Sequence, residues 1–248
     1  MHNDAAVIGG LGVVGRATRM MLGIERYYDL DDKGITEKEL QDTEYLFLCL
    51  PTPTAGGVCD TSRIERYFDI CGQGHIYIIR STVIPGTARE LADRYGVSVL
   101  SCPEFLTEAT ADQECHLPDI LVFGSDDATA HMKVWCRFFH SIRAKKVIFT
   151  NTITAEFIKY SVNTFYAAKV LFANALYDAA EQSGVDYDVV KEAMYARKWI
   201  GHNHLTVPWK GRRGVDGKCL PKDLEAFATF SGHEFFQFLH KMNTTWTG

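Results

Sequence analysis

The sequence lacks the features that mark membrane-spanning, secreted and nucleic-acid-binding proteins. No apolar run reaches 18 residues and there is no signal peptide, so we expect a cytoplasmic protein without a membrane partner. The seven cysteines are scattered through 248 residues and are odd in number, which argues against a disulfide framework and favours a reducing compartment. The net charge of −5 leaves no excess of basic residues for a nucleic-acid partner.

The sequence also lacks the ligand spacing of a metal site. It contains no CxxC pair, and the His202-Asn203-His204 triplet has no third or fourth ligand at a suitable spacing. We therefore expect no bound metal. The composition, 46% hydrophobic and 23% charged, is that of an ordinary globular protein with one large or two modest domains.

A glycine-rich segment lies between the first predicted strand and the first predicted helix. The strand at residues 5–8 leads into a G-x-G-x-x-G pattern, and a helical run follows. The first two glycines permit a tight turn and close approach of a pyrophosphate, and the third lets the helix pack on the strand. The predicted cofactor-binding residues of this loop are Gly10, Gly12, Val13, Val14 and Gly15.

Acidic residues end the second predicted strand, about 20 residues beyond the glycine pattern. Asp29 is expected to bind the ribose hydroxyls of a dinucleotide, with Asp31 as the alternative. A carboxylate at this position favours NAD over NADP, because it repels a 2′-phosphate.

Buried strands and helices alternate through the rest of the first half, which predicts a parallel sheet with right-handed crossovers. Ligands of such sheets bind at the carboxyl ends of the strands. The residues expected to surround that crevice are Gly10, Pro51, Thr82 and Glu104. We therefore predict an α/β fold: a Rossmann-type, doubly wound domain at residues 1–151, followed by a mainly helical domain at residues 152–248.

The second half is predicted to open with a long helix. Thr154 can cap its start, and it is expected to end near Gln182, before a glycine. Lys159 and Asn163 are four residues apart, so they lie on the same face of this helix.

A cysteine follows a glycine-broken loop near the end of the chain. Gly214 and Gly217 can take positive φ and allow the backbone to approach a ligand closely. Pro221 and Asp223 are typical of a helix start, so Cys219 lies at a helix N-terminus, where the nucleophilic thiolate is favoured. An inert cysteine beside a turn is the alternative.

Taken together, the motifs resemble the UDP-glucose/GDP-mannose dehydrogenase family of nucleotide-sugar dehydrogenases. The matching segments occur in the family's order: GGLGVVG at 9–15, PTP at 51–53, RSTVIPGT at 80–87, PEFLTEATA at 103–111, AEFIKYSVNTFYAAKVLFANAL at 155–176 and GVDGKCLPKD at 214–223. The resemblance implies oxidation of a sugar C6 alcohol to a carboxylate with two NAD and one water. UDP-glucose is the expected substrate. The alternatives are a GDP-mannose or UDP-N-acetylhexosamine substrate, a two-electron alcohol dehydrogenase, and a non-catalytic NAD-binding homologue.

The resemblance also implies roles for individual residues. Cys219 would be the nucleophile that passes through a thiohemiacetal and a thioester, and Lys159 and Asn163 would stabilise charge on the substrate oxygen. The residues implied to place or activate water are Thr82, Glu104 and Asp223. The substrate-binding residues implied are Glu104, Phe105, Leu106, Lys159, Asn163, Arg212, Arg213, Gly214 and Gly217, and those beside the cofactor include Pro51, Thr82 and Glu108.

The sequence departs from the family pattern in three places. Asp216 stands where the family has the first of two adjacent glycines, and Trp199 stands where it has an arginine, for which Arg212 or Arg213 would compensate. We also expect a short form without the family's C-terminal nucleotide-binding domain. The resemblance implies a homodimer that pairs through the long helix beginning near Thr154.

Overall fold

The computed structural model describes residues 3–32, 34–140 and 142–247. The strands are β1 (Ala5–Ile8), β2 (Tyr27–Tyr28), β3 (Tyr45–Leu48), β4 (Thr54–Ala55), β5 (Val58–Cys59), β6 (Ile76–Ile79), β7 (Ser98–Ser101), β8 (Leu121–Ser125) and β9 (Val147–Thr150). The helices are α1 (Val13–Leu22), α2 (Glu37–Gln41), α3 (Ser62–Cys71), α4 (Thr87–Tyr95), α5 (Ala111–Glu114), α6 (Ala128–Val134), α7 (Thr152–Ser183), α8 (Tyr187–Tyr195), α9 (Leu220–Ser231) and α10 (Glu234–Thr247). A π-helical turn, Trp135–Phe139, continues α6.

Seven strands form one sheet in the order β2-β1-β3-β6-β7-β8-β9. The neighbours from β2 to β7 are parallel, and β8 and β9 are parallel to each other, as the alternation of strands and helices predicts. The prediction of a wholly parallel sheet is wrong at one pair, because β8 runs antiparallel to β7, with Leu100 opposite Ser125. The connection between these strands contains the four-residue α5 instead of a full crossover helix, so the chain re-enters the sheet at the end where it left.

Both faces of the sheet are covered, which explains why its central strands are apolar without alternation. Each residue of β1, β3 and β6 is buried. Successive side chains point to opposite faces, so Phe47 joins a core with Leu22 and Phe138, whereas Leu46 joins a second core with Phe68. This is the doubly wound arrangement predicted for the first half.

The long helix begins three residues earlier than a Thr154 cap predicts. The side-chain oxygen of Asn151 accepts a hydrogen bond of 2.8 Å from the Thr154 N–H, so Asn151 caps α7 and the prediction of a Thr154 cap is wrong. An asparagine before Thr152 provides the same acceptor one turn earlier. The helix ends at Ser183, and Gly184 follows with φ +64, as its sequence predicts.

The chain divides into two compact units. The first comprises the residues up to Pro53 and Cys59–Lys159, and the second comprises Thr54–Val58 and the residues from Tyr160 onward. The short hairpin of β4 and β5 therefore packs with the second unit, where the Gly57 N–H donates a 2.7 Å hydrogen bond to Glu225. Among the described helices, none is long and apolar enough to cross a membrane.

Candidate active site

The glycine loop between β1 and α1 is packed as a close backbone turn. A Cβ added at Gly10 would lie 2.4 Å from Tyr27 Cβ, and one added at Gly15 would lie 2.0 Å from the Gly9 carbonyl oxygen. Gly12 differs, because its nearest neighbour for an added Cβ is the Gly9 oxygen at 3.5 Å. The first N–H groups of α1 follow Gly12 and have no partners within the helix. The loop therefore leaves room on its outer side where a helix N-terminus favours phosphate.

Asp29 lies beside this loop, immediately after β2. One carboxylate oxygen accepts the Leu11 N–H at 3.0 Å, and the other accepts the Leu30 N–H at 2.8 Å. Asp29 is half-buried, whereas Asp31 is exposed. The structure thus brings Asp29 to the glycine loop, as a ribose-binding acid requires.

Hydroxyl groups join the carboxyl ends of two neighbouring strands. The Ser81 hydroxyl, just after β6, donates to the Leu50 carbonyl at 2.8 Å and accepts the Leu50 N–H at 2.9 Å beyond β3. The Thr52 hydroxyl donates a 2.6 Å hydrogen bond to the Thr82 carbonyl. These contacts hold the Pro51 turn against the Thr82 turn. Sequence reasoning missed both hydroxyls, although they lie inside the PTP and RST motifs.

A buried arginine extends this link to the next strand. Arg80 is 3% exposed, and its guanidinium donates a 2.9 Å hydrogen bond to the Cys102 carbonyl at the end of β7. A second guanidinium nitrogen lies 3.3 Å from the Thr18 hydroxyl on α1. The turns that carry Thr82 and Glu104 are therefore fixed relative to each other by a side chain that was not predicted to contribute.

Glu104 and Lys159 form a largely buried ion pair in the first unit. The Lys159 Nζ lies 3.4 Å from one Glu104 oxygen, with side-chain exposures of 7% and 13%. The other Glu104 oxygen accepts the Leu106 N–H at 2.7 Å, and the ammonium lies 5.3 Å from the Phe105 ring centroid. The sequence predicts all four residues at the site, and the structure brings them together. Glu108, the next predicted residue, is exposed in the following turn.

A second buried carboxylate supports the turn that carries Thr82. Glu156, at the start of the second turn of α7, accepts the N–H groups of Gly86 at 2.6 Å and Ala88 at 2.9 Å, where α4 begins. Burial raises the pKa of Glu156 to about 7, and the two backbone hydrogen bonds oppose this rise. Glu156 therefore joins the long helix to the helix that follows Thr82.

In the second unit, Cys219 is the N-cap residue of α9 and is exposed. Asp223 lies one turn later and is fully buried. The Asn163 amide donates a 2.6 Å hydrogen bond to one Asp223 oxygen, and Lys222 Nζ lies 2.5 Å from the other. The structure thus groups three predicted catalytic residues of this unit around one helix start. Lys222 was missed, although it adjoins Asp223 in the sequence.

The environments of the thiols distinguish Cys219 from most other cysteines. All seven cysteines lie within the described residues and none is in a disulfide. Burial raises the pKa of Cys49 to about 11 and that of Cys71 to about 11. Burial also raises the pKa of Cys102 and Cys115. Cys219 and Cys136 are exposed, so these two thiols are accessible to a reactant.

The two arginines expected to bind the nucleotide contact residues of their own unit. Arg213 donates hydrogen bonds to the Asn174 side chain at 2.7 Å and to Asp178 at 2.6 Å. Arg212 is exposed and lies 3.1 Å from a carboxylate oxygen of Asp216. A role for either arginine in binding the substrate stays a prediction. Among the described residues, no group of three acidic, histidine or cysteine side chains could hold a metal ion.

Comparison with known protein families decides between the enzymes that share this fold. Residues 28–142 match the family model described as UDP-glucose/GDP-mannose dehydrogenase family, NAD binding domain, and residues 153–244 match the central domain of the same family. The chain belongs to the UDP-glucose/GDP-mannose dehydrogenase family. The resemblance read from the motifs is confirmed, and so is the predicted α/β fold followed by helices.

Individual relatives agree with this assignment. UDP-glucose 6-dehydrogenase of Rickettsia conorii is 28% identical over 203 residues, which are 78% of this chain and 46% of that protein. UDP-glucose 6-dehydrogenase of Pseudomonas aeruginosa is 30% identical over 204 residues, with coverages of 75% and 44%. The UDP-glucose dehydrogenase structure from Pyrobaculum islandicum has a TM-score of 0.79 and 26% identity, covering 97% of this chain and 68% of that chain. The chain spans about half the length of the curated relatives it matches.

The cofactor of the N-terminal unit is NAD, as the glycine pattern and Asp29 predict. The structure fits this cofactor, because Gly10 and Gly15 face protein atoms whereas Gly12 leaves space at the start of α1. The matched segment starts at residue 28 and so does not include the glycine loop. The assignment of that loop to cofactor binding rests on the geometry described above.

Proposed function

We propose that the protein catalyses the NAD-dependent oxidation of a nucleotide sugar at C6, from the alcohol to the carboxylate, with UDP-glucose as the substrate. The observation that carries the proposal is the exposed Cys219 at the start of α9, one turn from a buried Asp223 bonded to Asn163. A simple two-electron alcohol dehydrogenase has no use for a nucleophilic thiol. The relatives named UDP-glucose 6-dehydrogenase favour glucose over the alternative sugars.

The reaction removes four electrons and takes up one water. The chemistry that bound NAD would supply is that of the hydride acceptor, one NAD for each of the two oxidations. The hydroxyl proton must leave with the first hydride, and we assign its acceptance to Glu104, directly or through a water at Thr82. The Lys159 ammonium beside Glu104 stabilises the negative charge that develops on the sugar oxygen.

Cys219 retains the aldehyde that the first oxidation produces. Its thiolate adds to the aldehyde carbon, forming a C–S bond and a thiohemiacetal whose oxygen takes the negative charge, and we assign stabilisation of that charge to Asn163 and Lys159. Loss of the second hydride from that carbon converts the thiohemiacetal to a thioester. Water then attacks the thioester carbon, the C–S bond breaks, and the carboxylate and the original thiol are released. We assign activation of that water to Asp223 and Glu104.

The experiment that tests this function is NADH formation with a panel of UDP- and GDP-sugars, scored as NADH per sugar consumed. We expect two NADH per UDP-glucose and a sugar acid as product. One NADH per sugar with an aldehyde or ketone product would support a two-electron dehydrogenase. NAD binding without turnover of any sugar would support a non-catalytic homologue.

We also propose that the protein is a homodimer paired through α7. Four large hydrophobic side chains of this helix are exposed: Phe157 at 45%, Phe165 at 63%, Tyr166 at 38% and Phe172 at 56%. At about 100° per residue the three phenylalanines fall within an arc of about 80°, so they form one apolar stripe, whereas Tyr166 lies on another face. Two such stripes related by a two-fold axis cover each other. Light scattering at micromolar concentration should give the mass of a dimer, and a monomer would contradict the proposal.

A further inference from the structure

Two buried amide side chains form hydrogen bonds with the backbone of the loop that leads into Cys219. The Asn243 side-chain oxygen, on α10, accepts the Val215 N–H at 2.6 Å, and its NH₂ group lies 3.3 Å from the Val215 carbonyl. The Asn174 oxygen, on α7, accepts the Gly214 N–H at 3.1 Å. Both side chains are nearly inaccessible, at 8% and 2% exposure. Hydrogen bonds in such surroundings are costly to lose, because the backbone groups would remain buried without partners.

The orientation of the Asn174 amide is itself fixed. Its NH₂ group donates a 2.8 Å hydrogen bond to the Val170 carbonyl one turn earlier in α7, which turns the oxygen toward the loop. Arg213 donates to that same oxygen at 2.7 Å and to Asp178 at 2.6 Å. The Arg213 guanidinium therefore supports the amide that holds the neighbouring residue, Gly214.

Gly214 is required by this close packing. Its φ is +74, and an added Cβ would lie 2.8 Å from the Asn243 oxygen and 2.9 Å from Thr247 Cγ2. Val215 is 1% exposed and packs in a core with Leu171 and Leu224. Asp216 to Cys219 are exposed, and Gly217 has no atom within 4 Å of its added Cβ position. The loop is thus fixed at residues 214–215 and again where α9 begins.

We propose that Asn243 and Asn174 are positioning residues that set the location of the Cys219 thiol. Four residues, Asp216 to Cys219, follow this held pair before α9 begins, so the position of the backbone at residues 214–215 bears directly on where Cys219 lies. A displacement of about 1 Å at a reacting group costs on the order of 100-fold in rate. The proposal rests on the proposed function, in which Cys219 is the reacting group.

The test compares Asn243→Ala with Thr244→Ala, an exposed neighbour on the same helix. In Asn243→Ala we expect the Val215 amide hydrogen to exchange at least about tenfold faster and kcat to fall at least about tenfold, with KM for NAD within twofold of the parent. Thr244→Ala should change neither quantity. Asn243→Asp keeps the oxygen that accepts the Val215 N–H but loses the donor to the Val215 carbonyl, so its kcat should lie between those of Asn243→Ala and the parent. If Asn243→Ala does not fold, Asn174→Ala carries the same measurements, with exchange followed at the Gly214 amide hydrogen.

A second readout does not depend on the reaction. A nitroxide label on Cys219, in a Cys136→Ser background, should become at least twofold more mobile with Asn243→Ala and remain unchanged with Thr244→Ala. Unchanged label mobility, unchanged Val215 exchange, or a parental kcat despite faster exchange would each overturn the proposal. If the parent shows no dehydrogenase activity, the proposed function fails, and label mobility with Val215 exchange still decides whether the amides hold the thiol in place.

Discussion

Two glycines of the cofactor loop should respond oppositely to the same substitution. A methyl group at Gly15 would lie 2.0 Å from the Gly9 carbonyl oxygen and 2.8 Å from Gly10 Cα, so the backbone of the loop must move. Such overpacking costs about 1–3 kcal/mol, which corresponds to a fall in Tm of roughly 2–12 °C for a chain of this size. Gly15→Ala is therefore expected to lower the stability of the fold.

Gly12→Ala should leave the fold intact and weaken the binding of NAD. The added Cβ has no neighbour closer than 3.5 Å, and Gly12 has φ −66 and ψ 166, which alanine adopts without strain. Its effect on the free energy of unfolding should be within about 1 kcal/mol, because a poorer N-cap and a less flexible unfolded chain act in opposite directions. A methyl group on the outer side of the loop excludes the close approach of the pyrophosphate. Loss of one charged hydrogen bond, about 1.5–3 kcal/mol, corresponds to roughly 10- to 150-fold weaker binding.

The assay pairs thermal unfolding by circular dichroism with NAD titration by calorimetry on parent and both variants. Each variant serves as the control for the other. Parental NAD affinity in Gly12→Ala, or a parental melting temperature in Gly15→Ala, would contradict these expectations.

Three further outcomes are expected. Asp29→Asn keeps an oxygen for the Leu11 N–H but removes the charge, so the preference for NAD over NADP, measured as a ratio of Kd values, should shrink about tenfold; a parent that prefers NADP would contradict the assignment. Asp216→Gly removes the partner of Arg212 and should lower KM for the nucleotide sugar several-fold, whereas an unchanged KM would place Arg212 outside the binding site. Burial raises the pKa of Glu156 from 4.5 to about 7, so the folded protein holds this proton more tightly than the unfolded chain. The free energy of unfolding should therefore fall by on the order of 3 kcal/mol as the pH rises through that window. Urea unfolding of Glu156→Gln should show a flatter dependence, and parallel profiles would contradict this account.

Local patterns were sufficient to predict the parts of the fold that depend on neighbours in the sequence. The glycine loop, the buried strands and the start of α9 just before Pro221 all follow from short-range chemistry. The direction of β8 could not be predicted, because a buried apolar strand has the same composition whichever way it runs. The close packing of Gly57 on Thr229 could not be predicted either, because these two residues are far apart in the sequence.

The candidate site was predictable to a similar extent. Residue types with obvious chemistry, such as Cys219 and Glu104, could be proposed from motifs, and their roles stay predictions. The residues that hold the loops in place were not found, because Arg80 and Asn243 act on backbone groups that only the tertiary structure brings near them. Arg213 illustrates the converse, since a basic residue in a polar loop suggests a phosphate partner, whereas in the structure it contacts Asn174 and Asp178.

We propose above all that Cys219 carries the sugar as a covalent intermediate. It is tested most directly by acid quenching of protein mixed with UDP-glucose and excess NAD, followed by peptide mass spectrometry. We expect a mass increase corresponding to the nucleotide-sugar acyl group on the peptide containing Cys219, with no adduct on the peptide containing the exposed Cys136. Cys219→Ser should abolish the adduct and formation of the acid while NAD binding is retained. Acid production at the parental rate by Cys219→Ser would contradict the account.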